Sequence, residues 1–591
     1  MLVAPALRSL LRTARAAPLA SSWVRWIASD DPNFPYKPLE VNATSVVHSR
    51  GMELLQNPVF NKGTAYSVAE RERLGVRGLL PPQVLPVSRQ MARVMDRYWH
   101  GSDFISPEEI ESGGITHEHT RKWLVLSELQ DRNETLFYRC LIENFVEMAP
   151  ILYTPTVGWA CLNYHKLFRR PRGMYFSAFD RGKMSTMVHN WPHEEVDAIV
   201  VTDGSRILGL GDLGCNGLGI PVGKLDLYVA AGGFHPSRVL PCVVDVGTNN
   251  EALRADPQYL GVKQPRLIGD AYYSLLDEFV QAVMLRWPHA VLQFEDFAME
   301  HAAPLLARYR HHHTVFNDDI QGTACVALAG LYGALRVLGH APADLTGLRI
   351  AVVGAGSAGM GVVSMIAKGM EQHGLTPEEA ADNFWVLDAD GLITEERADL
   401  PAHVRRFARS DERGTDGERL LETIRRVKPT CLIGLAGAGR LFTKDVLQAM
   451  AEGKAVFASG SPQGPVEWEG HSHAPSQANN MYIFPGVALG AWLARSGTIT
   501  DRMLMASAEA LAQCTTPAEL ALGMVYPSMT RIRQAEISLR VAEAVIEAAG
   551  ALAQNERLLK AKAEGPEALR DYIQAHMYHP EYTTLVYKES R

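Results

Sequence analysis

The sequence predicts an α/β fold with two parallel sheets that lie between helical regions. Short apolar runs that end in glycine or an acidic residue alternate with helical segments from about residue 195 to about residue 500. A glycine-rich turn follows one of these runs near residue 354. Helical patterns extend from about residue 85 to 150 and over roughly the last ninety residues. Because parallel strands need crossover connections, the alternation indicates βα units around a parallel sheet.

The composition indicates a large globular chain. Of its 591 residues, 47% are hydrophobic and 21% are charged, so a sizeable core can form and wholesale disorder is excluded. The net charge of −8 argues against a chain built to coat nucleic acid. No run of about 18 or more apolar residues occurs, so no membrane span is predicted. Seven cysteines without a C-x-x-C pair predict a reducing compartment, with neither a disulfide framework nor a zinc knuckle.

Residues 1–29 differ from the rest of the chain. They contain no Asp, Glu or Lys, and their charges are Arg8, Arg12, Arg15 and Arg25. Three of these arginines share one helical face and leucines lie on another, a pattern typical of an organellar transit peptide. The arginines interrupt any apolar stretch, which disfavours a secretory signal. The alternative is an unstructured basic tail, and a mitochondrial transit peptide is the better interpretation.

The first predicted sheet has strands over 197–202, 239–245 and 290–294. Helical segments lie between these strands, so their carboxyl ends meet at one edge of the sheet. In open α/β sheets ligands bind in the crevice at that edge. Side chains that directly follow the strands are therefore the first candidates for a functional site.

Acidic residues occupy two such positions. Glu295 and Asp296 follow the third strand, and Asp318 and Asp319 precede an apolar helix. Converging carboxylates make a hard oxygen site suited to Mg²⁺ or Mn²⁺. The alternative is ordinary surface acids with a helix N-cap at Asp318 or Asp319. The nearby tract His311–His313 is interpreted as solvated rather than metal-binding, because adjacent histidines on a helix face different ways.

A glycine-rich segment runs from residue 200 to Lys224. Six glycines follow Arg206 before the lysine, and glycine lets the backbone approach a small ligand closely. Leu225 stands where a Walker A loop needs Ser or Thr, so that motif is excluded. The guanidinium of Arg206 suits a carboxylate, and burial of Lys224 would lower its pKa enough to make it a base. The alternative is a tight loop with a surface lysine.

A dinucleotide fingerprint follows the apolar run 348–353. It is the G-x-G-x-x-G sequence Gly354-Ala355-Gly356-Ser357-Ala358-Gly359, with a helical pattern after it. The glycines allow the turn, the approach of a pyrophosphate and close helix packing, and the helix N-terminus offers free N–H groups. The alternative, a plain glycine-rich turn, is disfavoured by this context.

The coenzyme that this fingerprint binds is NAD or NADP. Asp388 ends a second strand 29 residues after Gly359, where an acid can bind the ribose hydroxyls. Asp388 and Asp390 would repel a 2′-phosphate, which favours NAD. Arg405 and Arg406 lie downstream, where they could reach such a phosphate, so NADP stays open.

The sequence resembles malic enzymes from about residue 50 to about residue 590. The resemblance is carried by motifs that occur in the family's order: Asp131–Tyr138, Tyr153–Gly158, Phe168–Gly173, the glycine-rich run to Lys224, Asp245–Asn249, Gln293–Phe297, Phe316–Thr323, Phe457–Pro462 and Asn479–Gly486. The resemblance implies oxidative decarboxylation of (S)-malate to pyruvate and CO₂ with reduction of NAD(P)⁺, a divalent cation, Mg²⁺ or Mn²⁺, and a homotetramer that is a dimer of dimers.

The resemblance also implies roles for single residues. Tyr153 matches the general acid, Lys224 the general base, and Asp318 neighbours the lysine as a third catalytic residue. Arg206 matches the residue that binds a substrate carboxylate. The remaining assignments are the metal ligands Glu295, Asp296 and Asp319, the substrate residues Asn479 and Asn480, and the coenzyme residues Gly354, Gly356, Ser357, Ala358, Gly359, Asp388, Asp319 and Asn479.

Together these observations predict five regions in a protein of the mitochondrial matrix. They are a transit peptide over 1–29, a helical N-terminal region with oligomer contacts over 30–130, a catalytic α/β domain with a parallel sheet over 131–315, a Rossmann-type NAD(P)-binding domain over 316–545 and a helical C-terminal extension over 546–591.

The sequence departs from the family pattern after Met450. The family has a strand and a Ser-Asn-Pro loop there whose Asn touches substrate, whereas this chain runs almost directly into Phe457–Pro462. Either residues 454–458 take over the missing strand, or the sequence is that of a shortened isoform or comes from a faulty gene model. The gap raises the alternative of a catalytically impaired or regulatory subunit. A nicotinamide dehydrogenase without decarboxylation is disfavoured, since a Rossmann domain alone needs no such Tyr, Lys and acid motifs.

Overall fold

The computed structural model describes residues 44–100, 116–436, 441–452, 457–459, 466–468, 471–473, 477–532 and 537–589. The predicted transit peptide lies outside these residues. Contacts divide the chain into two compact units, the first formed by residues 1–100, 132–136 and 581–591 and the second by residues 101–131 and 137–580. The five predicted regions stay predictions.

The secondary structure is mixed, as the sequence predicts. The strands within the described residues are β1 Thr44–Val47, β2 Met174–Ser177, β3 Ala198–Thr202, β4 Val239–Asp245, β5 Val291–Phe294, β6 Val315–Asn317, β7 Ile350–Val353, β8 Phe384–Asp388, β9 Gly391–Leu392, β10 Cys431–Gly434, β11 Phe457–Ser459, β12 Val466–Trp468, β13 His471–His473 and β14 Thr584–Tyr587. The helices over the same residues are α1 Gly51–Gln56, α2 Val68–Arg73, α3 Val87–His100, α4 His117–Arg132, α5 Glu134–Glu143, α6 Phe145–Leu152, α7 Thr156–Leu162, α8 Tyr164–Leu167, α9 Met184–Met187, α10 Gly219–Gly232, α11 Glu251–Ala255, α12 Gly269–Arg286, α13 Met299–Tyr309, α14 Thr323–Val337, α15 Ser357–Gln372, α16 Pro377–Ala381, α17 Ala402–Arg405, α18 Leu420–Val427, α19 Lys444–Glu452, α20 Phe484–Ala494, α21 Asp501–Gln513, α22 Pro517–Ala521, α23 Ile537–Ala549, α24 Glu556–Glu564 and α25 Pro566–Ala575.

The first unit joins the two ends of the chain through a small parallel sheet of β1 and β14. Its core is a cluster that includes Leu54, Tyr66, Leu74 and Leu585. A capping box begins α2, because the Ser67 side chain accepts from the backbone of Glu70 while the Glu70 side chain accepts from the backbone of Ser67. Strand β14 interrupts the helical C-terminal region that the sequence predicts.

The first sheet of the second unit has the strand order β2-β4-β3-β5-β6, and every pair in it is parallel. All residues of β3 and β4 are buried, as expected for strands that are covered on both faces. The three strands predicted from sequence are β3, β4 and β5. The order places β5 beside β6, so the segments that directly follow these two strands lie at the same edge.

The second sheet has the order β11-β10-β7-β8-β9. Strands β7 and β8 are parallel, and the glycine turn between β7 and α15 has the context of a dinucleotide site. Strand β11 pairs in parallel with β10, with Cys431 opposite Phe457 and Ile433 opposite Ser459. Residues 457–459 therefore occupy the position beside β10 after the point where the sequence departs from the family pattern.

The helices that follow the second sheet pack closely. A Cβ at Gly486 in α20 would lie 2.6 Å from Val541 Cβ in α23, and one at Gly490 would lie 2.8 Å from Val545 Cβ. Glycine at these two positions therefore sets the distance between the helices.

Within the described residues one helical stretch, Asp318–Val337, has the length and hydropathy of a membrane span, and 72% of it is buried inside the protein. All seven cysteines are free and buried.

Candidate active site

The site is centred on Lys224 in α10. Its side chain is 1% exposed, and its Nζ lies 2.7 Å from Asp318 Oδ2, 2.6 Å from Glu295 Oε1 and 2.9 Å from the Tyr153 hydroxyl oxygen. The ammonium also lies 4.5 Å from the centre of the Phe484 ring, which adds a cation–π contact. The structure therefore brings together the three residues predicted to be catalytic.

Tyr153 and Lys224 approach each other because their backbones do. Tyr153 is the residue at which α6 ends. A Cβ at Gly223 would lie 2.7 Å from the carbonyl oxygen of Leu152, so only glycine permits this approach of α10. Glycine is therefore required immediately before Lys224 for this close packing, a requirement that the sequence pattern alone does not show.

The four predicted acids come from two neighbouring strands. Glu295 and Asp296 follow β5, and Asp318 and Asp319 follow β6, where a short π-helical turn leads into α14. The backbone N–H of Asp296 donates to Asp319 Oδ2 at 2.7 Å. Asp296 has a φ of 57°, a left-handed conformation that is uncommon for a residue with a side chain and occurs at functional sites. The strand-end cluster is therefore real rather than a set of scattered surface acids.

Charge raises the pKa of Lys224, contrary to the expectation from burial. Burial alone would lower it, but Asp318, Glu295 and Tyr153 together raise the pKa well above its ordinary value. The prediction that burial makes Lys224 a ready base is therefore wrong for this arrangement, in which the lysine is an ammonium. The sequence shows the lysine but not the carboxylates that fold against it.

The pKa values of the carboxylates also move upward. Burial, with the charges of the neighbouring acids, raises the pKa of Glu295 and Asp296 well above the ordinary range and raises that of Asp319. Burial likewise raises the pKa of Tyr153 well above 10, so the phenol is protonated. A buried excess of acids over Lys224 is the electrostatic condition that a bound cation relieves.

The donor chemistry fits a divalent cation. Glu295, Asp296 and Asp319 offer hard oxygen ligands, and Asp318 Oδ1 is buried with no hydrogen-bond partner. No group of three or more His, Cys, Asp or Glu side chains in the described part of the chain is arranged to hold a metal ion. Instead Asp296 Oδ2 accepts the Leu208 N–H at 3.2 Å, and Asp319 Oδ2 accepts the N–H of Asp296. Metal binding therefore requires the carboxylates of Asp296 and Asp319 to turn.

The predicted substrate residues surround this cluster. Arg206 is exposed, and its charge opposes the rise in pKa that burial and neighbouring acids cause at Asp296 and Asp319. No carboxylate among the described residues forms an ion pair with it, so the guanidinium is free to hold an anion. Asn480 Nδ2 donates to Asp318 Oδ2 at 3.1 Å and to Thr323 Oγ1 at 3.0 Å, while the Asn479 side chain accepts from the backbone of Met481. Asn480 therefore adjoins Lys224 through Asp318, whereas the Asn479 side chain contacts only its own turn among the described residues.

The dinucleotide turn has the geometry that its sequence predicts. Gly354 has a φ of 121°, and a Cβ at Gly359 would lie 2.0 Å from the Gly354 carbonyl oxygen. Ser357 begins α15, with Ala358 next in its first turn. A free helix N-terminus therefore follows the turn, where it can bind a pyrophosphate.

Asp388 at the end of β8 is paired, which the sequence does not indicate. Arg397 donates to Asp388 Oδ2 at 2.7 Å and also contacts Asp416. Arg406 pairs with Glu371 at 2.6 Å, and Arg405 is exposed. Arg397 lies nine residues after Asp388 in an irregular segment, where no periodicity indicates a contact. It is the functional candidate that sequence reasoning missed.

The histidine tract His311–His313 follows α13. His311 and His312 are exposed, which agrees with the interpretation of a solvated tract.

Comparison with known proteins identifies the family. Residues 130–310 match the family profile described as "Malic enzyme, N-terminal domain". Residues 320–454 and 449–550 match "Malic enzyme, NAD binding domain". The second match is in two pieces that meet near Met450, where the sequence departs from the family pattern.

Individual relatives are similar over nearly the whole chain. The "NAD-dependent malic enzyme 1, mitochondrial" of Arabidopsis thaliana is 46% identical, over 98% of this chain and 98% of its own length. The "NAD-dependent malic enzyme, mitochondrial" of Solanum tuberosum is also 46% identical, over 93% of this chain and 94% of its own. The "NADP-dependent malic enzyme" of Dictyostelium discoideum is 41% identical, over 90% and 98%.

Proposed function

The chain belongs to the malic enzyme family, and on that premise we propose how its residues convert malate to pyruvate and CO₂ with reduction of NAD(P)⁺. The observation that carries the proposal is the buried contact of Lys224 with Tyr153, Glu295 and Asp318 beside three further candidate ligands. The mitochondrial names of the relatives agree with the predicted mitochondrial localisation. Location in the matrix and removal of residues 1–29 stay predictions.

The first step is oxidation of malate at C2. The C2 hydrogen leaves as hydride for the nicotinamide ring, and the hydroxyl proton passes to Lys224 Nζ, which gives a 2-keto acid. Arg206 holds one substrate carboxylate and so fixes the orientation of C2. Lys224 accepts the proton only after it has lost its own to solvent, a loss that a bound cation would favour by offsetting the charge of the nearby carboxylates.

Glu295, Asp296 and Asp319 would hold a divalent cation, Mg²⁺ or Mn²⁺, which would supply Lewis-acid chemistry and would offset the carboxylate charge that raises the pKa of Lys224. These side chains are the ligands that we propose.

The second step breaks the C3–C4 bond and releases CO₂, and the electron pair of that bond forms the enolate of pyruvate. Tyr153 then donates its phenolic proton to C3, which yields pyruvate. Lys224 lies 2.9 Å from this oxygen, so it can return the proton and reset the pair. Asp318, fully buried and 2.7 Å from Nζ, holds the lysine between the two reacting positions.

We further propose NAD⁺ as the preferred coenzyme. The ribose end of the site contains Asp388, Asp416 and Asp390 against the single guanidinium of Arg397. This excess of negative charge disfavours a 2′-phosphate. Arg406 pairs with Glu371 and is therefore not free to compensate.

The assembly proposed for this enzyme is a homotetramer formed as a dimer of dimers, as the family resemblance implies. Size-exclusion chromatography with light scattering measures the particle mass directly. A mass of four chains supports the proposal, and a monomer or a stable dimer at micromolar concentration contradicts it.

An active enzyme is favoured over an impaired or regulatory subunit. The buried catalytic contacts are present, and β11 fills the position beside β10 after the break. The test is an assay of the purified protein with malate, Mn²⁺ and either NAD⁺ or NADP⁺, with pyruvate and reduced coenzyme both measured. Equal amounts of both products support the reaction. A folded sample that forms neither product with either coenzyme would contradict it.

A further inference from the structure

Gln293 contacts one of the candidate metal ligands, Glu295. It is in β5, two residues before Glu295, and is fully buried. Side chains alternate along a strand, so residues 293 and 295 lie on the same face. The neighbouring residues Leu292 and Phe294 belong to the hydrophobic core on the other face. A buried amide on the site side of the strand therefore needs an explanation in terms of its contacts.

Both ends of the Gln293 amide have partners. Nε2 donates to Glu295 Oε2 at 2.7 Å, and Oε1 accepts from the Tyr228 hydroxyl. Tyr228 is held in turn by stacking on Phe484, with ring centres 5.0 Å apart. A flipped amide would place Oε1 against Glu295 Oε2, so the contact of Nε2 with this oxygen and the contact of Oε1 with the Tyr228 hydroxyl together fix the orientation of the amide.

The two oxygens of Glu295 consequently face different groups. Oε2 accepts from Gln293, whereas Oε1 lies 2.6 Å from Lys224 Nζ and accepts from the Tyr153 hydroxyl at 3.2 Å. The amide thus fixes the rotation of the carboxylate plane, and with it the oxygen that faces the reacting groups.

We infer that Gln293, anchored by Tyr228, is a positioning residue that holds the Glu295 carboxylate in the orientation needed for metal binding and for contact with Lys224. This inference rests on the proposed metal role of Glu295. Hydrogen-bond partners of ligating carboxylates orient the ligand, and their loss weakens metal affinity or activity by about 10- to 100-fold.

The test is Gln293→Leu, which removes the amide and keeps a side chain of similar volume. Free Mn²⁺ is measured by electron paramagnetic resonance during titration of the full-length protein without malate or coenzyme. We expect a dissociation constant about 10- to 100-fold above that of the wild type. In steady state the KM for Mn²⁺ should rise, while the KM for NAD⁺ should stay within about twofold, because the glycine turn lies on the other sheet.

The matched control is Gln90→Leu. Gln90 is also a buried glutamine, and its Nε2 donates to backbone carbonyl oxygens of Lys62 and Leu85, which are not part of the site. Its loss should destabilise the fold without changing Mn²⁺ affinity. If Gln293→Leu does not fold, the double variant Tyr228→Phe with Gln293→Leu removes both buried polar partners, which leaves no unsatisfied hydroxyl.

The outcomes separate this inference from the proposed function. If wild type binds Mn²⁺ and Gln293→Leu binds it equally well, the positioning role is overturned while the metal site stands. If the wild type turns over malate but Mn²⁺ does not bind, both the metal role of Glu295 and the inference fail. A loss of kcat with unchanged Mn²⁺ affinity and KM also overturns the inference, because a smaller active fraction explains it.

Discussion

Lys224 Nζ lies 2.7 Å from Asp318 Oδ2, and at most 1% of either side chain is exposed to solvent. A lysine and an aspartate at this distance in the interior form an ion pair. Removal of either residue leaves the charge of the other buried without a partner of opposite sign. Glu295 adds a second carboxylate on the same nitrogen. The lysine that we propose as the base is therefore held as an ammonium in a network of ion pairs and not as a neutral amine.

The first prediction concerns Lys224→Ala. The substitution removes the group that accepts the hydroxyl proton, and loss of general acid–base catalysis should lower kcat by about 10²- to 10⁴-fold. Glu295, Asp296 and Asp319 remain, so Mn²⁺ binding should persist. Steady-state kinetics and Mn²⁺ titration of the same preparation measure both effects.

Lys122→Ala is the control for this loss. Lys122 is another buried lysine, paired with Glu118 and Glu147 at 2.9 Å. Its removal should cost stability but leave kcat within about twofold. A near-wild-type kcat for Lys224→Ala would remove the lysine from the proposed mechanism.

The second prediction concerns Tyr153→Phe, which separates oxidation from protonation. The pKa of Tyr153 is raised by burial, so the phenol carries the proton that C3 needs. Without it, reduced coenzyme should still form in a first turnover, whereas pyruvate release should slow by about 10²- to 10⁴-fold. Rapid mixing with detection of both products measures the two rates.

Tyr526→Phe serves as the comparison, because this buried hydroxyl donates to the Val326 carbonyl oxygen at 2.8 Å. Its steady-state rate should match that of the wild type. If Tyr153→Phe slows coenzyme reduction as much as pyruvate formation, the proposed division of the two steps is wrong.

Sequence reasoning located strands where apolar runs were long. The predicted strands over 197–202, 239–245 and 290–294 agree within one residue with β3, β4 and β5, because β-branched runs buried on both faces have no other stable placement. Strand β2 alternates buried and partly buried residues and β6 has only three residues, so neither gives a continuous apolar run. Strand β14 is short as well, and its partner β1 comes from the other end of the chain.

The sequence predicts which residues form the candidate site, but it does not predict that Lys224 is protonated there. Lys224 lies 71 residues from Tyr153 and 94 residues from Asp318 in sequence. Burial of the lysine can be predicted from its apolar neighbours, but contacts over such distances in sequence cannot, so the carboxylates that raise its pKa were not predicted. The same limit hid the contact of Arg397 with Asp388. Pairing between irregular segments has no periodic signal, and it becomes visible only in the folded chain.

The third prediction concerns Asp226, two residues after Lys224. Burial raises its pKa to about 6, although Arg172, Tyr138 and Gln130 oppose the shift. The folded chain therefore holds a proton that the unfolded chain loses near pH 4, so stability falls as pH rises from about 4 to 6 and this contribution is constant above that range. The loss is on the order of 3 kcal/mol.

Asp226→Asn should remove this dependence, because the amide oxygen can accept from Tyr138 and Gln130 without a charge. Urea midpoints at several pH values between 4.5 and 7.5 measure it, with the exposed Asp571→Asn as the control for loss of one carboxylate. The difference between variant and wild type should grow in favour of the variant as pH rises. A difference that is independent of pH would show that Asp226 does not titrate in this window.

The last prediction concerns coenzyme choice. Asp388→Ala removes the carboxylate that Arg397 contacts at 2.7 Å, which frees one side of the guanidinium and lowers the local negative charge. The ratio of kcat/KM for NADP⁺ to that for NAD⁺ should rise by about tenfold, which corresponds to about 1.4 kcal/mol. Asp571→Ala is the control for the loss of one carboxylate, because its side chain is exposed and lies in α25, outside the dinucleotide-binding segments. An unchanged ratio in Asp388→Ala would mean that charge at the end of β8 does not select the coenzyme. A double variant with Arg397→Ala should cancel the gain, because the guanidinium is the group expected to meet the 2′-phosphate.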